Sequence, residues 1–112
     1  MKKVEVIEVS RYEEEAYESV SYIITADGEE VGTCTVMEDS SSWSYVERID
    51  IEESHRNNGY GTAALNELAD IYGGIVVAPD NEDAQRLYAR IGREFRDDTS
   101  DYIDQGFGVY EI

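Results

Sequence analysis

HRNNGYGTAAL, residues 55–65, sets two glycines between a strand-like run and a helix-like one. Either Gly59 and Gly61 form a bend that holds phosphate, or they only turn the chain into the helix. A P-loop needs Gly-Lys-Ser/Thr at its end, and no lysine follows these glycines. Gly59, Gly61 and Ala64 satisfy the dinucleotide pattern Gly-x-Gly-x-x-Ala, with Asp80 near the spacing of its ribose-binding acid. That fingerprint follows its strand directly and opens the sheet, whereas here EESHRNN intervenes and half the chain has passed. The third pattern, Arg-x-x-Gly-x-Gly, is met by Arg56, Asn57, Asn58, Gly59, Tyr60 and Gly61. Glycines let the backbone approach closely, so successive N–H groups and a helix N-terminus can surround a pyrophosphate while Arg56 adds charge. On these residues alone, a loop with a helix cap explains the pattern equally well.

Upstream, KVEVIEV (3–9), SVSYIITAD (19–27), EVGTCTVME (30–38) and SYVERIDI (44–51) have the near-two periodicity of strands. Asp27-Gly28 is a hairpin turn, and DSSSW is a Ser-rich loop. Val46 and Glu47 begin opposite faces. Downstream, Ala64, Leu65, Leu68, Ile71 and Tyr72 follow helical spacing over 62–72, and Gly73-Gly74 stops the helix. GIVVA (74–78) reads as a buried strand. Asn81 caps a second helix with Glu82 and Asp83 in its first turn and an apolar stripe of Ala84, Leu87, Tyr88 and Ile91, which Gly92 ends. The tail offers a strand at 93–95, an acidic turn at 97–101 and a last strand within QGFGVYEI. The order predicts an α/β (α+β) fold: one mixed, mostly antiparallel sheet flanked by helices, in a single domain over 1–112.

With 26 acidic against 9 basic residues, the formal net charge of −17 repels nucleic acid and attracts cations. The same acidity suits a cationic substrate, a basic partner or solubility in high salt. A 41% hydrophobic content with nine Tyr argues for a packed core rather than disorder. No apolar run approaches the roughly 20 residues of a membrane span, and the start alternates too strictly for a signal peptide, so a cytoplasmic location without membrane contact is expected. The lone Cys34 excludes an internal disulfide and reads as a core residue.

VERIDIEESHRNNGYGTAAL resembles the fourth strand, acyl-CoA pyrophosphate loop and following helix of the GNAT superfamily of acetyl-CoA-dependent N-acetyltransferases. NEDAQRLYARIGREF is similar to that family's second motif, in the right order and separated by a helix and a strand. The resemblance covers roughly Tyr45 to Phe95. It implies a GNAT-like fold, acetyl-CoA bound at 56–62, and a pantetheine arm lying between two parallel strands that splay apart. Those strands match 44–51 and 74–78, with a backbone N–H near Ile49 to Ile51 polarising the thioester carbonyl. Tyr88 matches the proton donor to the departing thiolate, Asn81 a cofactor-holding position, and Glu47 the acid that drains the amine's proton through water. Asp50 is the alternative base, on the other face by alternation. Activity on a primary amine is implied: a cationic small molecule, a lysine or a protein N-terminus near basic residues.

The chain departs from the family pattern in two places. Members usually carry one or two helices between the first two strands, where only SRYEEEAYE stands here, enough for a turn or a helical stub. A reduced acceptor pocket follows, or one completed by a second subunit as a homodimer. Asn57 and Asn58 replace the usual Gly and basic residue, shifting weight onto other arginines. Arg86, Arg90, Arg93 and Arg96 cluster near the second helix; they either offset a 3′-phosphate, Arg86 foremost, or pair with Glu82, Asp83 and Glu94. His55 reads as an exposed loop residue, and the aspartates at 97, 98 and 101 lack the glycine of a calcium loop, so no metal is assigned. The rival to turnover is a domain that senses acyl-CoA, or engages a basic protein, without catalysis.

Overall fold

The computed structural model describes residues 2–39, 43–95 and 102–112. The Ser-rich stretch at 40–42, Arg96 and the acidic turn at 97–101 lie outside the described residues. Four long strands come first: β1 (Val4–Glu13), β2 (Tyr17–Ala26), β3 (Glu29–Asp39) and β4 (Ser44–Ile51). Helix α1 (Tyr60–Tyr72) follows, then β5 (Val76–Val77), α2 (Glu82–Ile91), β6 (Arg93–Glu94) and β7 (Tyr110–Glu111). They form one seven-stranded sheet in the order β1-β2-β3-β4-β5-β7-β6, antiparallel throughout except for the β4–β5 pair. This is the mixed, mostly antiparallel architecture expected.

SRYEEEAYE makes no helical stub. β1 continues to Glu13, which pairs with Glu18, and the chain reverses within three residues. Tyr12 and Tyr17 have strand-forming side chains, and cross-strand bonding of this arm overrides the helix preference of the glutamates. A bulge at Val9 shifts the β1 register between Glu8 and Ser10. The next hairpin turns at Asp27 and Gly28, both with positive φ, as a two-residue turn of matching twist requires.

Alternate residues of β2 and β3 (Val20, Tyr22, Ile24; Cys34, Val36) form one buried cluster with Val46 and with Tyr60, Ala64, Leu65 and Leu68 of α1. Burying each such leucine contributes about 2 kcal/mol. Ile71, counted in the stripe from its spacing, is 52% exposed, because its position turns past the edge of that contact. Gly73, in the left-handed region, closes α1 by donating to the Ala69 carbonyl. Tyr88 and Ile91 of α2 pack against the same cluster, so both helices cover one side of the sheet.

On the other side of β1–β4 the residues stand in three cross-strand rows: Tyr12-Ser19-Met37-Tyr45, Ser10-Ser21-Thr35-Arg48 and Ile7-Ile23-Thr33-Asp50. No described helix lies over them.

Candidate active site

β4 and β5 run parallel for only two pairs, Tyr45 with Val76 and Val46 with Val77, and then part. Pro79 follows within two residues and has no N–H for a ladder, so the expected 74–78 strand shrinks to Val76–Val77. On the β4 side, the register against β3 shifts between Arg48 and Val46, leaving Glu47 as the extra, bulged residue. From Glu47 onward, the β4 backbone groups that point away from β3 have no ladder partner among the described residues. The gap is a cleft of about 140 Å³ lined by Glu47, Arg48, Ile49, Asp80, Tyr88 and Gln105, among others. Arg48 belongs to the uncovered side by its register with Thr35, whereas Ile49 and Tyr88 pack on the helix side. The cleft is therefore a slot through the sheet. Because of the bulge, alternation cannot be counted through Glu47: Arg48 and Asp50 share the uncovered side opposite Ile49 and Ile51.

Past Ile51 a single 3₁₀ turn (Glu53–His55) leads into the glycine segment. Arg56 is tied back: its Nε donates to the Ile51 carbonyl at 2.9 Å, and its guanidinium stands 3.8 Å from Asp50. Asn57 takes φ +65°, which Asn tolerates better than other side chains. Asn58 closes the loop, its Nδ2 donating to the His55 carbonyl at 3.0 Å and to that of Arg56 at 3.2 Å. Gly59 is the N-cap of α1 at φ +77°, a conformation that nearly dictates glycine. Helix α1 thus begins at Tyr60, two residues earlier than its apolar spacing suggested, with no side chain capping it. Its first N–H groups have no intrahelical acceptor.

Gly61 is different, since it lies inside the helix, where glycine costs roughly 1 kcal/mol relative to alanine. A Cβ there would meet only Ile51 Cγ1, at 3.8 Å. Nothing in the fold forbids a side chain, so what glycine preserves is open space above a helix N-terminus. That space belongs to a hollow of about 410 Å³ bordered by Ile51, Arg56, Asn57, Gly59, Tyr60, Gly61 and Thr62 on one side and by Leu87 and Arg90 on the other. Uncapped N–H donors, room for close approach and two arginines suit a diphosphate. Asn58 is spent on the loop and does not line the hollow.

Asn81 caps α2 by accepting the Ala84 N–H at 2.8 Å, and its Nδ2 donates to Asp80. Arg86 is ion-paired to Asp83 and does not border the hollow; Arg90, one turn after Leu87, does. Arg93 pairs with Glu111 at 3.1 Å. Tyr88 faces the slot with its hydroxyl pKa raised above the usual tyrosine value by burial, then by the nearby Asp80 and Tyr45. Tyr45 is raised likewise, by burial and by Glu47. His55 is partly buried rather than exposed, 3.7 Å from Glu29 and 3.8 Å from Glu52. Cys34 is buried in the core and its thiol is pushed up to about 12 by burial. Asp80, considered above only as a ribose-binding acid, lines the slot, and so does Gln105, which was not singled out: only the fold of the tail brings it there, and no sequence signal marks it.

The model of the family described as Acetyltransferase (GNAT) matches residues 3–92. No curated protein matches the sequence. Among solved structures, a Klebsiella pneumoniae protein provisionally assigned as an acyl-CoA N-acyltransferase superposes with a TM-score of 0.64 at 20% identity, over 83% of this chain and 70% of that one. An acetyltransferase of the GNAT family from Staphylococcus aureus gives 0.62 at 17% identity, over 83% and 66%. A Bacillus anthracis protein provisionally assigned as a streptothricin acetyltransferase, solved in complex with acetyl coenzyme A, gives 0.57 at 18%, over 66% and 47%. The chain therefore spans about half of that last protein and two thirds of the one before it. At such identities the likeness is one of fold.

Proposed function

The chain belongs to the GNAT acetyltransferase family, and from that premise we propose that it moves an acetyl group from acetyl-CoA to a primary amine by direct attack. The observation that carries this reading is Gly61, a helical glycine with no packing reason, beside a slot where two parallel strands part. Acetyl-CoA supplies the activated thioester. In this reading the N–H groups at the start of α1, with Arg56 and Arg90, hold its diphosphate, and the freed β4 edge near Ile49 to Ile51 offers an N–H to the carbonyl. Glu47 accepts the proton that an ammonium, with a pKa of about 10.4, must lose before its nitrogen can attack. As the N–C bond forms and the C–S bond opens, Tyr88 gives its proton to the thiolate and recovers one from the attacking nitrogen, directly or through water, leaving an amide, a free thiol and a neutral tyrosine. Its raised pKa keeps that proton in place across the neutral range. Positioning of amine and thioester in one slot supplies much of the rate.

Calorimetry with acetyl-CoA followed by thiol release over a panel of amines tests the reading. Binding with amine-dependent release supports it. Binding without release under any amine replaces it with an acyl-CoA sensor, and absence of binding ends both. Glu47→Gln is expected to lose activity near neutrality and to regain it as the solution approaches the amine's own pKa.

A further inference from the structure

We propose that the acceptor amine also carries a carboxylate, as a free amino acid does, and that Arg48 is the residue that selects for it. The inference rests on the acetyl-transfer reading and narrows its acceptor to a zwitterion. Among the described arginines, Arg11, Arg86 and Arg93 donate to carboxylates and Arg56 donates to a main-chain carbonyl. Only Arg48 and Arg90 make no side-chain hydrogen bond among the described residues. Arg90 borders the hollow suited to a diphosphate, and Arg48 borders the slot. Each of the two therefore stands at a cavity.

The charge around Arg48 runs against that of the chain. Asp50 faces it at 3.8 Å, outside hydrogen-bond reach, and the other oxygen of the same carboxylate faces Arg56 at the same distance. One carboxylate between two guanidinium groups leaves positive charge in excess, in a chain whose net charge is −17. The register with Thr35 puts Arg48 on the uncovered side of the sheet, and it does not border the diphosphate hollow, so this charge is not spent on the cofactor. Glu47 and Asp80 line the same slot. Two carboxylates suit the ammonium that has to be bound and deprotonated, and the planar guanidinium suits a carboxylate beside it, gripped by two parallel N–H groups. A polyamine, or a lysine among basic residues, instead brings a second cation against Arg48, where like charges repel. The molecule spans 39 × 31 × 22 Å, so most of its acids lie beyond the screening length of about 8 Å and the local charges decide.

The test measures thiol release from acetyl-CoA by the full chain over the free amino acids, each beside its decarboxylated amine. Spermidine and an N-terminally blocked lysine peptide amide are run as further acceptors. Arg48→Gln is compared with Arg11→Gln, a matched charge loss on the outer strand, with thermal unfolding as the check on folding. The inference expects an amino acid to exceed its decarboxylated amine about tenfold or more in kcat/KM. Arg48→Gln should erase that preference by raising KM for the amino acid about tenfold, with kcat changed less than about twofold and the decarboxylated amine unaffected. Arg48→Lys, which keeps the charge and loses the two-pronged grip, should fall between. Equal efficiency of the paired amines in the wild-type chain, or greatest efficiency on spermidine or the peptide, would overturn the inference, as would an equal effect of Arg11→Gln. Calorimetric titration of the coenzyme A-loaded chain with the amino acids reads the same contact without turnover. If no amine releases thiol, binding that Arg48→Gln abolishes ends the acetyl-transfer reading alone; absence of such binding ends the inference as well.

Discussion

Gly61 separates stability from binding. Replacing it by alanine adds a helix-favouring residue whose Cβ touches nothing closer than 3.8 Å, so folding should gain up to about 1 kcal/mol. The same methyl enters the hollow at the N-terminus of α1, so acetyl-CoA affinity should fall. Thermal unfolding and calorimetry on Gly61→Ala read the two effects, and a variant that gains stability without losing affinity would remove the phosphate role. Tyr88→Phe keeps the ring that packs on the core and removes only the hydroxyl. It should leave acetyl-CoA binding intact and lower kcat about 100-fold. Because burial and Asp80 raise its pKa, the alkaline limb of wild-type kcat should lie above the ordinary tyrosine value of 10.0.

Elements were legible in the sequence where local chemistry governs them. The Asp27-Gly28 turn, the Asn81 cap and the Gly73 stop all appear where their side chains require. What stayed hidden depends on distant parts of the chain. The β4 bulge exists only relative to β3, the two-residue length of β5 only relative to β4, and the choice of Arg90 over Arg86 depends on how α2 is rotated on the core. Gly92 belongs to this group: its φ is ordinary, yet a Cβ would stand 2.4 Å from the Glu111 carbonyl oxygen. Gly92→Ala must push α2 away from β7, at a cost of about 2 kcal/mol. Since α2 carries Tyr88, the variant should lose activity as well as stability, which urea unfolding and thiol release can compare.

For the molecule as a whole, titration sets an upper bound on the pH at which it is stable. The buried Cys34 thiol, raised from 9.0 to about 12, stays protonated in the fold while the unfolded chain releases its proton from about pH 9. Its contribution is complete below 9 and is lost progressively between 9 and 12. Tyr45, Tyr72 and Tyr88, all raised above 10.0 chiefly by burial, add to the decline at higher pH. Urea midpoints should therefore fall from pH 9 to 11, and Cys34→Ala should flatten the first part of that slope.

The β4–β5 contact, only two residue pairs long, makes the sheet resemble an open book whose spine is stitched at one end. Pages β1–β4 and pages β5–β7 share few main-chain bonds, so the margin of β4 beyond Glu47 should trade its amide hydrogens with deuterated solvent early, well before the interior of β2. Coenzyme A bound along that margin should slow the exchange there and leave the distant pages untouched.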